Sequence, residues 1–280
     1  MISILEALTI EADATIKEDE YRNDMGLICC KNCHSLRQIT LAVGDKQIRP
    51  RVLCRCQEEK RNRQEAEWKA RRQREEIERN RSIGIMDPIM GKHTFEKDLG
   101  YNLRAMEIAR NYVEHWEQFK ENSQGLLFWG DVGTGKSFIA GCIGNELLNR
   151  GVRVQMTNFS RLMNRLTDLQ MGDRNGFIDS LNSFDLLILD DLGIERNSEF
   201  AKEQIFSIID SRYRSGLPMI VTTNLTLDEL LNPADLWRKR VYDRVLERSV
   251  RVCVNDQNIR KILSEKAMER GKEMLTHGKE

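Results

Sequence analysis

Neither sign of charge predominates in this chain. Over 280 residues, 44 Lys and Arg balance 44 Asp and Glu, so no global field draws the molecule to nucleic acid or to a membrane surface, and any polyanion must bind at a local site. No stretch approaches the roughly 18 apolar residues of a membrane span. The opening MISILEALTIEADATIKEDE carries carboxylates where a secretory leader has a basic region and an apolar run. A cytoplasmic protein without a membrane partner is expected. No segment repeats at a fixed period. The cysteines are odd in number, seven, and in a reducing compartment that argues for metal binding or packing over disulfides. Gly and Pro are missing from Gln57 to Ser82, where seven Glu alternate with nine Lys and Arg around Ala66, Trp68, Ala70 and Ile77. That composition predicts a solvated spacer helix supported by i,i+4 pairs, in preference to a nucleic-acid arm.

What is present organises the chain into three parts. Hydrophobic residues make up 40% of the sequence, enough for one full-sized core and a small second module. Residues 1–56 open with an expected short amphipathic helix bearing Ile2, Ile4, Leu5 and Leu8 within the first 25 residues, and hold five of the seven cysteines around a Gly44-Asp45 turn. Residues 57–83 form the charged helical linker. From Gly84, residues 84–280 alternate helices and apolar strands: a helix from about Asn102 to Asn122, strand Gly125 to Trp129, a helix ending near Arg150, strand Val152 to Met156, a helix from Ser160, strand Leu186 to Leu189, a helix Glu199 to Ser215, and strand Met219 to Thr222. Strands that are apolar throughout and separated by helices predict an α/β fold with a parallel sheet covered on both faces.

The run Gly130-Asp131-Val132-Gly133-Thr134-Gly135-Lys136-Ser137 fits the P-loop pattern, between the apolar strand GLLFW and a helix that begins SFIAG with Phe138. Its glycines let backbone N–H groups turn towards phosphate oxygens, the helix N-terminus adds its positive end, Lys136 adds a full charge for the β and γ phosphates, and Ser137 offers a hydroxyl to Mg²⁺. A Gly-rich turn that binds nothing is the plain alternative. About 55 residues on, the strand Leu186 to Leu189 delivers Asp190 and Asp191 at its C-terminal end, where open α/β sheets hold ligands. Asp190 is placed for Mg²⁺, and Asp191 is the candidate base for the attacking water; alone, the pair would serve equally to cap a helix. Asn224, after strand Met219 to Thr222, offers an amide to orient that water, or simply opens a turn. Arg240, Arg244 and Arg260 offer guanidinium groups for the charge that builds on a transferring phosphoryl.

Together GDVGTGKSFIA, LLILDDLG, VTTN and RVYDR resemble the DnaC/DnaI-type replicative helicase loaders, AAA+ ATPases of the IstB/DnaC-like superfamily. The resemblance begins near Gly84, with IMDPIMGKHTFEKDL as its lead-in, and extends to Arg260. It implies that Asn224 is a sensor, that Arg244 reaches the ATP of a neighbouring subunit with Arg240 as a second arginine, and that Arg260 senses its own subunit's γ-phosphate. It further implies ATP-dependent self-association into a spiral, single-stranded DNA in the pore, contact of Ser198 and Phe200 with that strand, and a hexameric replicative helicase as partner. Stacking of an aromatic on a base fits single-strand physics, although Phe200 would serve equally to pack its helix. Asp191 stands where most AAA+ proteins carry Glu, and its shorter side chain implies slow hydrolysis.

Cys30-x2-Cys33 and Cys54-x-Cys56, 20 residues apart, match a structural Zn²⁺ site of four thiolates, with Cys29 or His34 as alternative ligands. Zinc would fold a module too small for its own core, and the resemblance to DnaI-type loaders implies that the module docks the helicase. Cys142 and Cys253 are expected to pack. Two competing readings remain: a transposition helper ATPase of the IstB type, acting with duplex DNA and a transposase, and a zinc adaptor that binds ATP without hydrolysing it.

Overall fold

The structure is a computed structural model that describes residues 15–85, 87–193, 198–255 and 257–276. One compact unit extends to Arg74 and a second starts at Glu75. The expected N-terminal helix falls largely before residue 15, outside the described residues. Where its C-terminal part is described, the chain forms a strand instead.

In the first unit, β1 (Glu20–Arg22) pairs antiparallel with β2 (Ile28–Cys30), and β3 (Leu41–Val43) with β4 (Lys46–Ile48). Gly44 and Asp45 make the two-residue loop of the second hairpin, with Gly44 at φ 61°, a left-handed conformation that glycine reaches without a Cβ clash. Helix α1 (Arg55–Gly84) starts here and extends the expected 57–83 linker by two residues at its start and one at its end; Gly84 is its buried residue. The ion pairs Arg55–Glu59 and Arg61–Glu65 run along its exposed surface, and each adds a few tenths of a kcal/mol at most.

The second unit is built on a five-stranded parallel sheet: β5 (Gly125–Trp129), β6 (Val154–Asn158), β7 (Leu186–Leu192), β8 (Met219–Thr223) and β9 (Ser249–Cys253), in spatial order β6-β7-β8-β5-β9. The period-2 alternation of a strand divides its apolar residues between two cores. Leu126, Phe128, Leu186, Ile188 and Ile220 face α2 (Leu103–Glu114) and α4 (Lys136–Asn149). Leu127, Leu187, Leu189, Met219 and Val221 face α5 (Phe159–Asp168), α7 (Glu199–Arg214) and α9 (Leu236–Glu247). The chain leaves β5 for the far edge at β6 and returns through β7 and β8, so the ends of β5, β7 and β8 lie side by side at the point where strand order reverses.

The structure departs from the expected elements at several places. The helix over Asn102 to Asn122 breaks at His115, whose ψ of 26° is not helical. The break starts α3 (Trp116–Glu121) and turns Trp116 into the core against Tyr112. Strand β6 begins two residues later than expected, because Gly151, at φ 85°, ends the preceding helix and the Arg153 amide donates to Asp185. Helix α6 (Met171–Ser180) was not expected from MGDRNGFIDS, whose two glycines disfavour a helix. The C-terminal part adds α8 (Leu227–Leu231), the edge strand β9 and α10 (Ile259–Thr276). Among the described residues, no helix is long and apolar enough to cross a membrane.

Candidate functional site

Between the end of β5 and the start of α4 the chain turns through Gly130, Gly133 and Gly135, all at positive φ. A Cβ on Gly130 would lie 2.1 Å from the Asn255 side chain, and one on Gly133 would lie 2.6 Å from that of Asn258, so glycine is required at both positions for close approach as well as for conformation. Lys136 is buried, and its Nζ donates to the carbonyls of Gly130 (2.9 Å) and Asp131 (2.6 Å). Burial pushes its pKa down, against the upward pull of Asp191, Asp131 and Asp190.

Groups distant in sequence hold the loop. The Asn102 amide donates to the Thr134 carbonyl at 2.7 Å. Asn255 accepts from the Asp131 amide, Asn258 donates to the Val132 carbonyl, and the Arg260 amide donates to the Gly133 carbonyl. Asn102, Asn255 and Asn258 carry no signal in the sequence, because an Asn is unremarkable until the fold sets it against a particular backbone group.

A cavity of about 860 Å³ opens at this end of the sheet. Lys136, Ser137, Asp190, Asp191, Asn224 and Arg260 line it, together with apolar side chains that include Met90, Leu99, Met106, Ile259 and Leu263. Asp190 is buried, and Asp191 is half-buried with its carboxyl pushed up, first by burial and then by the charge of Asp190. Ile139, Gly135 and Phe138 complete the wall on the side of α4.

The remaining expected residues lie elsewhere. Arg244 does not line this cavity: its Nε pairs with Asp210 at 2.7 Å and its guanidinium lies over the Phe206 ring. Arg240 is exposed on α9. Ser198 caps α7 by accepting from the Ala201 amide, while Phe200 packs half-buried against the core beneath the Arg174 guanidinium. Cys142 is buried and Cys253 exposed.

In the first unit, Cys30 at the end of β2, Cys33 in the following turn, and Cys54 and Cys56 at the start of α1 bring four sulfurs within 4.8 Å of one another. The Cys30–Cys56 and Cys54–Cys56 separations are 3.6 and 3.3 Å, close to the edge of about 3.8 Å of a tetrahedron with Zn–S bonds of about 2.3 Å. This donor set fits Zn²⁺. Cys29 turns its sulfur towards the Leu27 carbonyl and His34 meets the Tyr21 hydroxyl at 3.2 Å, so neither belongs to the cluster. Arg37 is buried, donates to the sulfurs of both Cys54 and Cys30 at 3.3 Å, and is paired with Asp19 and Glu20. Arg51 pairs with the same buried Glu20, whose carboxyl is held down at about 2, chiefly by that hydrogen bond.

Known proteins resemble the chain over part of its length. The replicative helicase loader DnaC of Escherichia coli (strain K12) is 32% identical over 146 residues, 51% of this chain and 57% of that protein. The crystal structure of the DnaC helicase loader superposes with a TM-score of 0.52 at 24% identity, covering 60% of this chain and 99% of that one. That of DnaI superposes with a TM-score of 0.50 at 22% identity, covering 61% and 95%. The curated relative is thus matched over little more than half its length, and at these identities the two structures establish a shared fold. The family of IstB-like ATP binding proteins matches residues 63–267, well over half of the sequence, and the chain belongs to that family.

Proposed function

We propose that this protein is an Mg²⁺-dependent ATPase that places a replicative helicase on single-stranded DNA. The observation that carries the reading is that one cavity is lined by Lys136, Ser137, Asp190, Asp191, Asn224 and Arg260 together with apolar side chains such as Met106 and Leu263. Lys136 and the P-loop amides bind the β and γ phosphates. Ser137 and Asp190 hold Mg²⁺, which neutralises charge on those phosphates. Asp191 accepts a proton from the water that Asn224 orients, and Arg260 stabilises charge on the γ-phosphate. Arg244, with Arg240 beside it, serves the ATP of a neighbouring subunit, in keeping with its place outside its own cavity.

The short Asp191 carboxylate makes hydrolysis slow, as suits a switch that holds its partners until ATP is spent. Cys30, Cys33, Cys54 and Cys56 hold Zn²⁺, which stabilises a small unit that docks the helicase. Ser198 and Phe200 meet the DNA strand. The name DnaC of the Escherichia coli relative, a replicative helicase loader, supports this output. The name of the matching family keeps a transposition helper as the second reading.

The test is ATP turnover with and without DNA, followed by co-purification with the replicative helicase. Stimulation by single strands, abolished in Lys136→Ala and Asp190→Ala, together with a helicase complex lost when residues 1–56 are removed, is the expected result. Stimulation by duplex DNA alone, with no helicase complex, favours the transposition helper. No turnover under any condition contradicts the enzyme and leaves the zinc adaptor.

A further inference from the structure

The ladder between β7 and β8 runs in step through Leu187↔Met219, Ile188↔Ile220 and Leu189↔Val221, and then resumes at Leu192↔Thr223. Three steps along β7 are matched by two along β8, so β7 carries one extra residue at the acidic pair. Such a bulge re-aims side chains at the cost of ladder hydrogen bonds. Asp191 sits in it at φ 60°, a left-handed conformation that Asp tolerates better than most residues but that the surroundings must hold in place.

Two threonine hydroxyls of β8 take the place of the missing ladder bonds. Thr222 Oγ1 accepts from the Asp191 amide at 2.9 Å and donates to Asp190 Oδ1 at 2.6 Å. Thr223 Oγ1 donates to the Leu192 carbonyl at 2.6 Å and accepts from the Leu225 amide at 3.1 Å. Both residues are fully buried, at 0% exposure. A hydroxyl has a single proton. With that proton on Asp190 and a lone pair on the Asp191 amide, the Thr222 rotor is fixed, and one oxygen of Asp190 is engaged while Oδ2 takes no part in this bond.

We propose that Thr222 is the positioning residue of the acidic pair: its hydroxyl sets the Asp190 carboxylate for Mg²⁺ and locks the left-handed turn that aims Asp191. The proposal rests on the ATP-site reading above. It ties both carboxylates to β8, the strand that ends next to Asn224, so the metal ligand, the base and the water-orienting amide are held as one piece. Thr223 only closes the bulge downstream.

The test compares Thr222→Val, which keeps the shape and removes the hydroxyl, with Thr222→Ser, which restores it, and with Thr223→Val as a control on strand integrity. Three readouts are taken on the full chain: the Mg²⁺ concentration for half-maximal binding of a fluorescent non-hydrolysable ATP analogue, kcat and KM separately, and hydrogen exchange at the Asp191 amide without nucleotide. Groups that orient metal ligands commonly change metal affinity or activity by about 10–100-fold. Thr222→Val is therefore expected to raise the Mg²⁺ requirement and lower kcat by about tenfold or more, to leave analogue binding in EDTA unchanged, and to speed Asp191 exchange. Thr222→Ser and Thr223→Val should stay near wild type in Mg²⁺ requirement and kcat.

Wild-type Mg²⁺ dependence in a folded Thr222→Val, or an unprotected Asp191 amide in the wild type, overturns the proposal. If Thr222→Val does not fold, Thr222→Ala against Thr222→Ser gives the same comparison. A wild type that hydrolyses no ATP, yet protects the Asp191 amide through the Thr222 hydroxyl, contradicts the ATP-site reading and leaves the clamp standing.

Discussion

The guanidinium of Arg37 touches two of the four clustered sulfurs and is itself buried against Glu20. Removing one partner of a buried charge network leaves the others uncompensated, at a cost of about 3–5 kcal/mol. Arg37→Met keeps the reach of the side chain and loses its N–H groups, so zinc affinity, read by competition with a chromogenic chelator, should fall by about 10–100-fold. Arg37→Lys should fall between the two, since one ammonium cannot fork to both sulfurs. Unchanged affinity in both variants would contradict the role assigned to the guanidinium.

At the nucleotide site, Asp191 must be ionised to accept a proton, and burial with the neighbouring Asp190 charge pushes its carboxyl up. The base form is therefore lost at a higher pH than for an ordinary aspartate, and the acid limb of kcat should lie above the usual carboxylate range; Asp191→Asn should abolish turnover. An acid limb at the ordinary carboxylate position would remove Asp191 as the base. The Lys136, Asp190 and cysteine motifs were legible in sequence because their chemistry demands fixed residue types at fixed spacings. Arg37, Asn102 and Thr222 were not, because each acts on groups 7 to 32 residues away that only folding brings near.

Elements inherit their precision from such contacts. Gly125 opens β5 where a Cβ would lie 1.7 Å from the Met219 carbonyl, so Gly125→Ala must part β5 from β8. Overpacking of this kind costs about 1–3 kcal/mol, and chemical denaturation should show at least that loss; an unchanged midpoint would mean that the strands yield freely. The apolar strands β5, β7 and β8 were legible from their continuous hydrophobic runs. Strand β9 was not, since it lies at the sheet edge with Val250 and Arg251 exposed and lacks such a run. The break at His115 was hidden because Asn102 to Asn122 contains neither Gly nor Pro; the burial of Trp116, a tertiary demand, decides it. Helix α6 likewise forms despite its glycines because Ile178 reaches the core.

At the scale of the molecule, two compact units carry two different donor sets, four clustered cysteine sulfurs before Arg74 and a hydroxyl with two carboxylates after Glu75. Chelating zinc should lower the melting temperature of the first unit and leave the affinity of the second for ATP unchanged, measured by calorimetry and by binding of a fluorescent analogue; loss of ATP binding on chelation would show that the two units do not act separately. In the proposed function, ATP at the cavity drives the handling of a helicase. Its most direct test is transfer of the hexameric replicative helicase onto circular single-stranded DNA, scored by co-migration of helicase and DNA. The wild-type chain with Mg²⁺ and ATP should load the ring while Lys136→Ala does not, whereas equal loading by both, or by neither, would contradict the claim.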